Sequence, residues 1–228
     1  HVVVCNTDGG PDTILNGFTI TGGEAHGAGI APYGGGMLIN TSNPTVMNCM
    51  FTGNSATMDG GGMYALESDG PTVTNCVFRE NTADQGGGMR SYQSHPTLIG
   101  CTFLENVADD GGGGLSNSQG DLILTGCSFT DNVAAEDHSG TGGGGVYTTG
   151  GNATVTECSF CGNGTGLYGG GMRHSGPSLT VADSIFNHNT ASGRGAGLWV
   201  ADCSLTIGDC TFLGNASDDD GGGLKIEK

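Results

Sequence analysis

Residues 86–115 read GGGMRSYQSHPTLIGCTFLENVADDGGGGL, and the same arrangement recurs along the chain. A glycine-rich triplet is followed each time by a bulky apolar residue, at Met37, Met63, Met89, Leu115, Val146, Met172, Leu198 and Leu224. Every interval is 26 residues except one of 31, between Leu115 and Val146. The longer interval contains the polar residues 136–140, which we interpret as a loop insertion. Internal repetition of this period is typical of a solenoid.

A second motif, Cys-x-Phe-x-x-Asn, recurs in phase with the first. One copy is Cys101, Phe103 and Asn106, with the apolar Leu98 three residues before the cysteine. The cysteine position is held in turn by Cys49, Cys76, Cys101, Cys127, Cys158, Ser184 and Cys210. We expect the Cys, Phe and Val/Leu columns to point inward. We expect the Asn column to lie at a bend, where stacked amides hydrogen-bond from coil to coil.

Each repeat contains three short segments of alternating apolar and polar residues, separated by Gly, Pro, Asn and Asp. Such alternation over about five residues indicates strands, and we find no helical periodicity. One repeat buries too little surface to fold alone, so the repeats must stack. The sequence therefore predicts an all-β protein, a right-handed parallel β-helix of about eight coils of 26 residues with three short strands each. We expect residues 1–228 to form a single domain.

The composition excludes several classes of protein. The 228 residues include 47 glycines, 23 acidic residues and 6 Lys plus Arg, giving a net charge of −17. Glycine does not recur every third residue, which excludes collagen. So acidic a chain repels nucleic acid and anionic lipid. Membrane insertion is not expected either, because no apolar run approaches the ~20 residues that span a bilayer.

The paired GGGM and FxxN motifs resemble the repeats of chlamydial polymorphic outer membrane proteins, within the pectin-lyase-like β-helix superfamily. The resemblance covers residues 18–224, although a third glycine stands where that family often has alanine. It implies a secreted or cell-surface domain, often adhesive, taken from a longer exported protein, and it implies no reaction. We expect the native chain to continue beyond Lys228, or this chain to associate end to end.

The nine cysteines allow two interpretations. Stacked thiols could form disulfides or a soft-metal channel. However, adjacent coils hold Cβ atoms ~4.8 Å apart, whereas a disulfide prefers ~3.8 Å. We therefore expect buried, reduced thiols that act as small apolar groups, with Cys161 and Cys203 more exposed.

Acidic residues precede the glycine triplets and should gather on one ridge. They include Asp59, Asp84, Asp109, Asp110, Asp218, Asp219 and Asp220. Stacked carboxylates with nearby carbonyl oxygens could bind Ca²⁺, for which we single out Asp109, Asp110, Asp218, Asp219 and Asp220. The alternative is a solvated ridge that keeps the rod soluble, since no complete calcium loop is present. No cofactor is required by either interpretation.

The residue after each repeated apolar position should point outward. These residues are Leu38, Tyr64, Arg90, Ser116, Tyr147, Arg173, Trp199 and Lys225, with Tyr92 two residues beyond Arg90. We predict that Tyr64, Arg90, Tyr92, Tyr147, Arg173 and Trp199 form a solvent-facing stripe that binds glycan or another cell-surface ligand. Removing Trp199 and Tyr147 would then weaken binding without lowering stability. The alternative is ordinary β-propensity on an exposed strand.

Three function classes follow. The first is a non-enzymatic surface module for adhesion or glycan contact. The second is a polysaccharide lyase or hydrolase fragment acting on acidic glycans, with Arg90, Tyr92, Arg173 and His174 as its candidate groups. Arg90 and Arg173 lie three coils apart, roughly 14 Å, which is too far for one reacting sugar. The third class, ice binding, requires a flat, repeated Thr-x-Thr face, which we do not identify in any strand.

Overall fold

The computed structural model describes residues 1–6, 10–135 and 141–228. In this part of the chain the strands form four parallel sheets, of nine, eight, eight and eight strands, and successive coils pair in register. The predicted right-handed parallel β-helix is confirmed. The described residues include no helix that could span a membrane.

The strands are short and recur in the same order in each coil. Sheet A contains Val3–Asn6, Met37–Asn40, Met63–Leu66, Met89–Tyr92, Leu115–Ser118, Val146–Thr149, Met172–Ser175, Leu198–Ala201 and Leu224–Glu227. Sheet B contains Ile14–Asn16, Thr45–Met47, Thr72–Thr74, Thr97–Ile99, Leu122–Thr125, Ala153–Thr156, Ser178–Ala182 and Ser204–Gly208. Sheet C contains Thr19–Thr21, Met50–Thr52, Val77–Arg79, Thr102–Leu104, Ser128–Thr130, Ser159–Cys161, Ile185–Asn187 and Thr211–Leu213. Sheet D contains Glu24–Ala25, Ser55–Ala56, Thr82–Ala83, Val107–Ala108, Val133–Ala134, Gly164–Thr165, Thr190–Ala191 and Ala216–Ser217.

The prediction of three strands per coil is wrong, because each coil also contributes a strand to sheet D. That strand is two residues long and supplies one inward side chain, usually alanine, as at Ala83 and Ala108. A two-residue strand cannot show alternation, so its pattern gives no signal in the sequence. Residues 136–140, interpreted as a loop insertion, lie outside the described residues.

Each coil turns at four corners, and most corners contain a residue with positive φ, although the one between Met172–Ser175 and Ser178–Ala182 does not. In one circuit these are Gly60 (φ 70°), Glu67 (φ 47°), Asn75 (φ 52°) and Glu80 (φ 53°). Only the corner before sheet A is a glycine in every coil, because a Cβ there would overlap the carbonyl oxygen of the following strand, as Gly60 would with Met63. The glycine triplet thus begins at a tight corner.

The core consists of columns of identical side chains, as the sequence predicts. Phe51, Phe78, Phe103, Phe129, Phe160, Phe186 and Phe212 stack with ring centroids 4.6–5.1 Å apart and planes within 8° of parallel. In the Val/Leu column beside them, Val46, Val73, Leu98, Leu124, Val155 and Val181 are fully buried, whereas Ile207 in the last coil is 36% exposed. Burial of each column depends on the coil above and below it.

The asparagine column forms the predicted amide ladder. Asn106 Oδ1 accepts hydrogen bonds from the backbone N–H and Nδ2 of Asn81, at 3.1 and 3.0 Å. Asn106 Nδ2 in turn donates to Asn132 Oδ1 at 2.9 Å and to the carbonyl of Phe78 at 2.9 Å. Each buried amide therefore connects three coils.

The cysteine column is buried and unbridged, as predicted. Cys49, Cys76, Cys101, Cys127 and Cys158 are at most 2% exposed and Cys210 is half-buried, and all are free thiols. Cys127 Sγ donates to the carbonyls of Thr125, two residues earlier, and of Leu98, one coil away. Ser184 makes the same local bond to Ala182 through its hydroxyl. The cysteine column therefore hydrogen-bonds to backbone carbonyls as well as filling space. Burial raises the pKa of the Cys76 thiol to about 11.

Thr-x-Thr points outward in single strands of sheet B but is not repeated from coil to coil. In Thr72–Thr74 and in Ala153–Thr156 a buried valine separates two outward threonines. Most other strands of this sheet carry one outward threonine, so stacking in register brings together single threonines rather than Thr-x-Thr pairs.

Glycine substitutions test how closely the coils approach. A Cβ at Gly87 would overlap the carbonyl oxygen of Val107 and lie 2.8 Å from that of Gly113, both in the next coil. We expect Gly87→Ala to lower the free energy of unfolding by about 1–3 kcal/mol or more, because rigid backbone must move. Gly208→Ala is the control, since a Cβ there has no neighbour within 4 Å. Equal denaturation midpoints for the two variants would contradict the close approach.

Candidate functional site

The residue after each repeated apolar position lies on the outer side of sheet A. Leu38, Tyr64, Arg90, Ser116, Tyr147, Arg173, Trp199 and Lys225 pair in register from coil to coil. We call this column the outer ladder. It alternates along each strand with core residues such as Met63 and Ala65. The predicted common position of these residues is confirmed.

The predicted solvent exposure of the ladder is wrong for five of its eight members. Leu38 and Ser116 are at most 1% exposed, and Tyr64, Arg90 and Trp199 are only 5%, 6% and 5% exposed. Residues from the connections between sheets D and A cover the last three. Tyr33 stacks on Tyr64 with ring centroids 4.9 Å apart, and Tyr168 stacks on Trp199 at 5.3 Å.

The accessible part of the outer ladder is therefore smaller than the stripe that the sequence predicts. Tyr92, Tyr147 and Arg173 are half-buried, as are the covering residues Tyr33 and Tyr168. These five residues present only part of their surface to solvent.

Arg90 is held in a buried polar network. Its Nη1 donates to Ser116 Oγ at 2.7 Å and to Ser118 Oγ at 2.8 Å. Its Nε lies 3.6 Å from a carboxylate oxygen of Asp59, and its guanidinium lies 5.8 Å from the ring centroid of Tyr92. Burial raises the pKa of Asp59, and the Arg90 charge opposes that shift. Arg90 thus acts mainly as an internal cross-link between coils.

Arg173 lies among three aromatic rings. Its guanidinium carbon is 5.5 Å from the centroids of Tyr147 and Tyr168 and 4.7 Å from that of Trp199. Trp199 Nε1 is buried without a hydrogen-bond partner among the described residues. We call Tyr147, Tyr168, Arg173 and Trp199 the aromatic cluster. Such cation–π contacts fix both the rings and the guanidinium.

Sequence reasoning missed Tyr33 and Tyr168. Each stands four residues before the repeated methionine, at Met37 and Met172, where the other coils have non-aromatic residues. An aromatic residue at this shared position was the only hint that the sequence offered. It could not show that the connection between sheets D and A folds back over the outer ladder.

The groups considered for lyase chemistry do not converge. Arg90 and Arg173 are separated by three register steps, through Ser116 and Tyr147. His174 faces the core and is fully buried, and burial lowers its pKa to about 4. It is therefore neutral near pH 7, and it lies on the opposite side of the sheet from its neighbour Arg173.

His174 ends a buried polar column that sequence reasoning also missed. Ser91, Asn117, Thr148 and His174 pair in register on consecutive coils of sheet A, and each is 0% exposed. Asn117 Nδ2 donates to the carbonyl of Gly120 at 2.6 Å. The hydroxyls of Ser91 and Thr148 have no partner among the described residues. The flanking coils have apolar residues at this position, Ala65 and Val200, so the polar column interrupts an inward column of sheet A that is otherwise apolar there.

The candidate calcium residues lie in two separate places. Asp110 accepts hydrogen bonds from Gln85 Nε2, at 2.9 Å, and from the hydroxyl of Thr141, whereas Asp109 is exposed. Burial and the neighbouring carboxylates of Asp110 and Asp109 raise the pKa of Asp84.

The second acidic group, Asp218, Asp219 and Asp220, is exposed near the last strand of sheet A. Lys225 donates to Asp220 at 2.8 Å, and Arg194 lies 3.7 Å from Asp219. Among residues 1–6, 10–135 and 141–228, no three His, Cys, Asp or Glu side chains are grouped to hold a metal ion. Calcium binding by either group stays a prediction.

Comparison with known families agrees with this architecture. A family model described as "Right handed beta helix region" matches residues 6–129 and 100–228. The chain belongs to this family of right-handed β-helix regions. Searches of curated proteins and of solved structures found no significant match.

Burial of the outer ladder changes the expected effect of a Trp199 substitution. Because Trp199 packs against Tyr168 and Arg173, we expect Trp199→Ala to cost about 3–5 kcal/mol of unfolding free energy. Tyr147→Ala, which removes a half-buried ring of the same cluster, should cost clearly less. Chemical denaturation measures both. A Trp199→Ala variant with unaltered stability would contradict the observed burial.

Proposed function

We propose that the chain is a non-enzymatic module of an extracellular or cell-surface protein, and that it contacts glycans through the accessible part of the aromatic cluster. The observation that carries this proposal is the placement of Arg173 among Tyr147, Tyr168 and Trp199. Three of these four residues keep part of their surface accessible. Rings fixed in this way offer apolar faces and hydroxyl groups without a large entropic cost on binding.

The chemistry of the cluster favours sugars over other ligands. Sugar rings present apolar C–H faces, which pack on aromatic side chains, and hydroxyls, which hydrogen-bond to tyrosine and arginine. A protein with a net charge of −17 repels polyanions at long range. The proposed ligand is therefore a neutral glycan rather than a polyuronate.

The resemblance to polymorphic outer membrane protein repeats supports the proposed location. The motifs that carry it, GGGM and FxxN, build the first corner and the amide ladder of each coil. A rod that presents an accessible aromatic cluster on one side suits an adhesive surface domain. Adhesion to a host or neighbouring cell is part of the proposal.

Glycan binding can be tested with a matched pair of tyrosine substitutions. Tyr168→Ala removes a ring of the aromatic cluster, whereas Tyr33→Ala removes a half-buried ring at the same place in another coil. We expect unmodified protein to bind neutral oligosaccharides on an array, and Tyr168→Ala to weaken binding by about 1–2 kcal/mol while Tyr33→Ala does not.

Two results would contradict the proposal. One is that the unmodified protein binds no oligosaccharide, or that it binds one with an affinity that Tyr168→Ala does not change. The other is release of unsaturated or reducing sugars when the protein is incubated with a panel of acidic and neutral polysaccharides, since that would make the chain a lyase or hydrolase.

A further inference from the structure

The outer face of sheet B carries a β-branched side chain at the same position in every coil. The column consists of Ile14, Thr45, Thr72, Thr97, Ile123, Thr154, Thr180 and Thr206, and all adjacent members pair in register. Thr and Ile each place a γ-methyl group on the strand, and Thr adds a hydroxyl. Because β-branched side chains have few χ1 rotamers, these groups form a stiff, regular array.

Strand propensity alone does not explain this uniformity. The matching first outward position of sheet C is held by Thr19, Met50, Val77, Thr102, Ser128, Ser159, Ile185 and Thr211. The outer ladder of sheet A mixes aromatic, basic, aliphatic and hydroxyl side chains. A general preference for Thr and Ile in exposed strands would act on all three sheets. Of these columns only the first outward position of sheet B is uniformly β-branched. The second outward position of sheet B varies, from Asn16 and Met47 to Thr156 and Gly208.

The sheet B face also lacks charges and aromatic rings. Its eight strands contain no Asp, Glu, Lys, Arg, Phe, Tyr or Trp, although 13% of the chain is charged. Acidic residues lie beside the face, with Asp69 and Asp121 before the strands and Glu157 and Asp183 after them. The neutral face is therefore a strip with acidic borders on a rod with a net charge of −17.

We propose that this face binds ice. The column repeats once per coil, at ~4.8 Å, over roughly 34 Å, so a matching surface must itself be flat and periodic. Hydroxyls both donate and accept hydrogen bonds, as lattice water does, and methyl groups occupy the spaces between them. A charged face would instead retain its own tightly held hydration water.

A crystalline glycan is the other flat, periodic and neutral surface. Aromatic side chains provide the usual contacts for sugar faces, and here they lie on sheet A. The absence of rings from the eight strands of sheet B favours ice as the occupant. Ice binding and the proposed glycan contact use different sheets, so either can fail without the other.

The test is thermal hysteresis and ice-crystal shaping by the 228-residue chain, measured by nanolitre osmometry. We expect activity in the unmodified protein. Thr97→Lys with Thr154→Lys should reduce it by about tenfold or more, because each lysine places a hydrated charge on the face. The control is Thr102→Lys with Ser159→Lys, which adds equal charge to the same coils on the outer side of sheet C.

Circular dichroism checks that both double variants fold. If the sheet B double variant does not fold, hysteresis is measured instead on the single variants Thr97→Lys and Thr154→Lys. Absence of hysteresis in unmodified protein would overturn the proposal, as would equal loss in the face and control variants. Co-sedimentation with crystalline cellulose or chitin that the sheet B substitutions abolish would also overturn it, because the face would then be a glycan-binding surface.

Discussion

The structure depends on in-register hydrogen bonding between equivalent asparagines of successive coils. Asn106 alone receives two hydrogen bonds from Asn81, and it donates two to Asn132, from its backbone N–H and its Nδ2, and one to a backbone carbonyl. A shift of one residue between coils would break all five bonds and leave buried amides unpaired, which is costly. The ladder therefore selects one register. That register brings phenylalanines into contact with phenylalanines and lets glycines approach the next coil closely.

Stacking in one register also determines the surface of the rod. A position that holds related residues in several coils becomes a column, and neighbouring columns become a face. The outer ladder and the sheet B face arise in this way from positions that are unremarkable within any single coil. The two faces differ in chemistry, since one concentrates rings and arginines and the strands of the other contain neither rings nor charged side chains.

The core could be predicted from sequence because its columns obey alternation. Phe103 and Leu98 face inward and recur at the repeat period, so their burial follows from pattern alone. Sheet D could not be predicted, since two residues show no alternation. Burial of the outer ladder could not be predicted either, because alternation gives the side of a strand and not what covers that side. Tyr168 covers Trp199 from a connection that is not aromatic in most coils.

Coupling between adjacent asparagines tests the central claim most directly. Unfolding free energies of Asn106→Ala, Asn132→Ala and the double variant form one thermodynamic cycle, and Asn54 with Asn163 forms a distant control cycle. Adjacent residues should show a coupling of about 1–3 kcal/mol, because each single substitution already breaks the bonds that they share, whereas the distant pair should add within about 0.5 kcal/mol. Additive effects for Asn106 and Asn132 would contradict a ladder that acts as a connected unit.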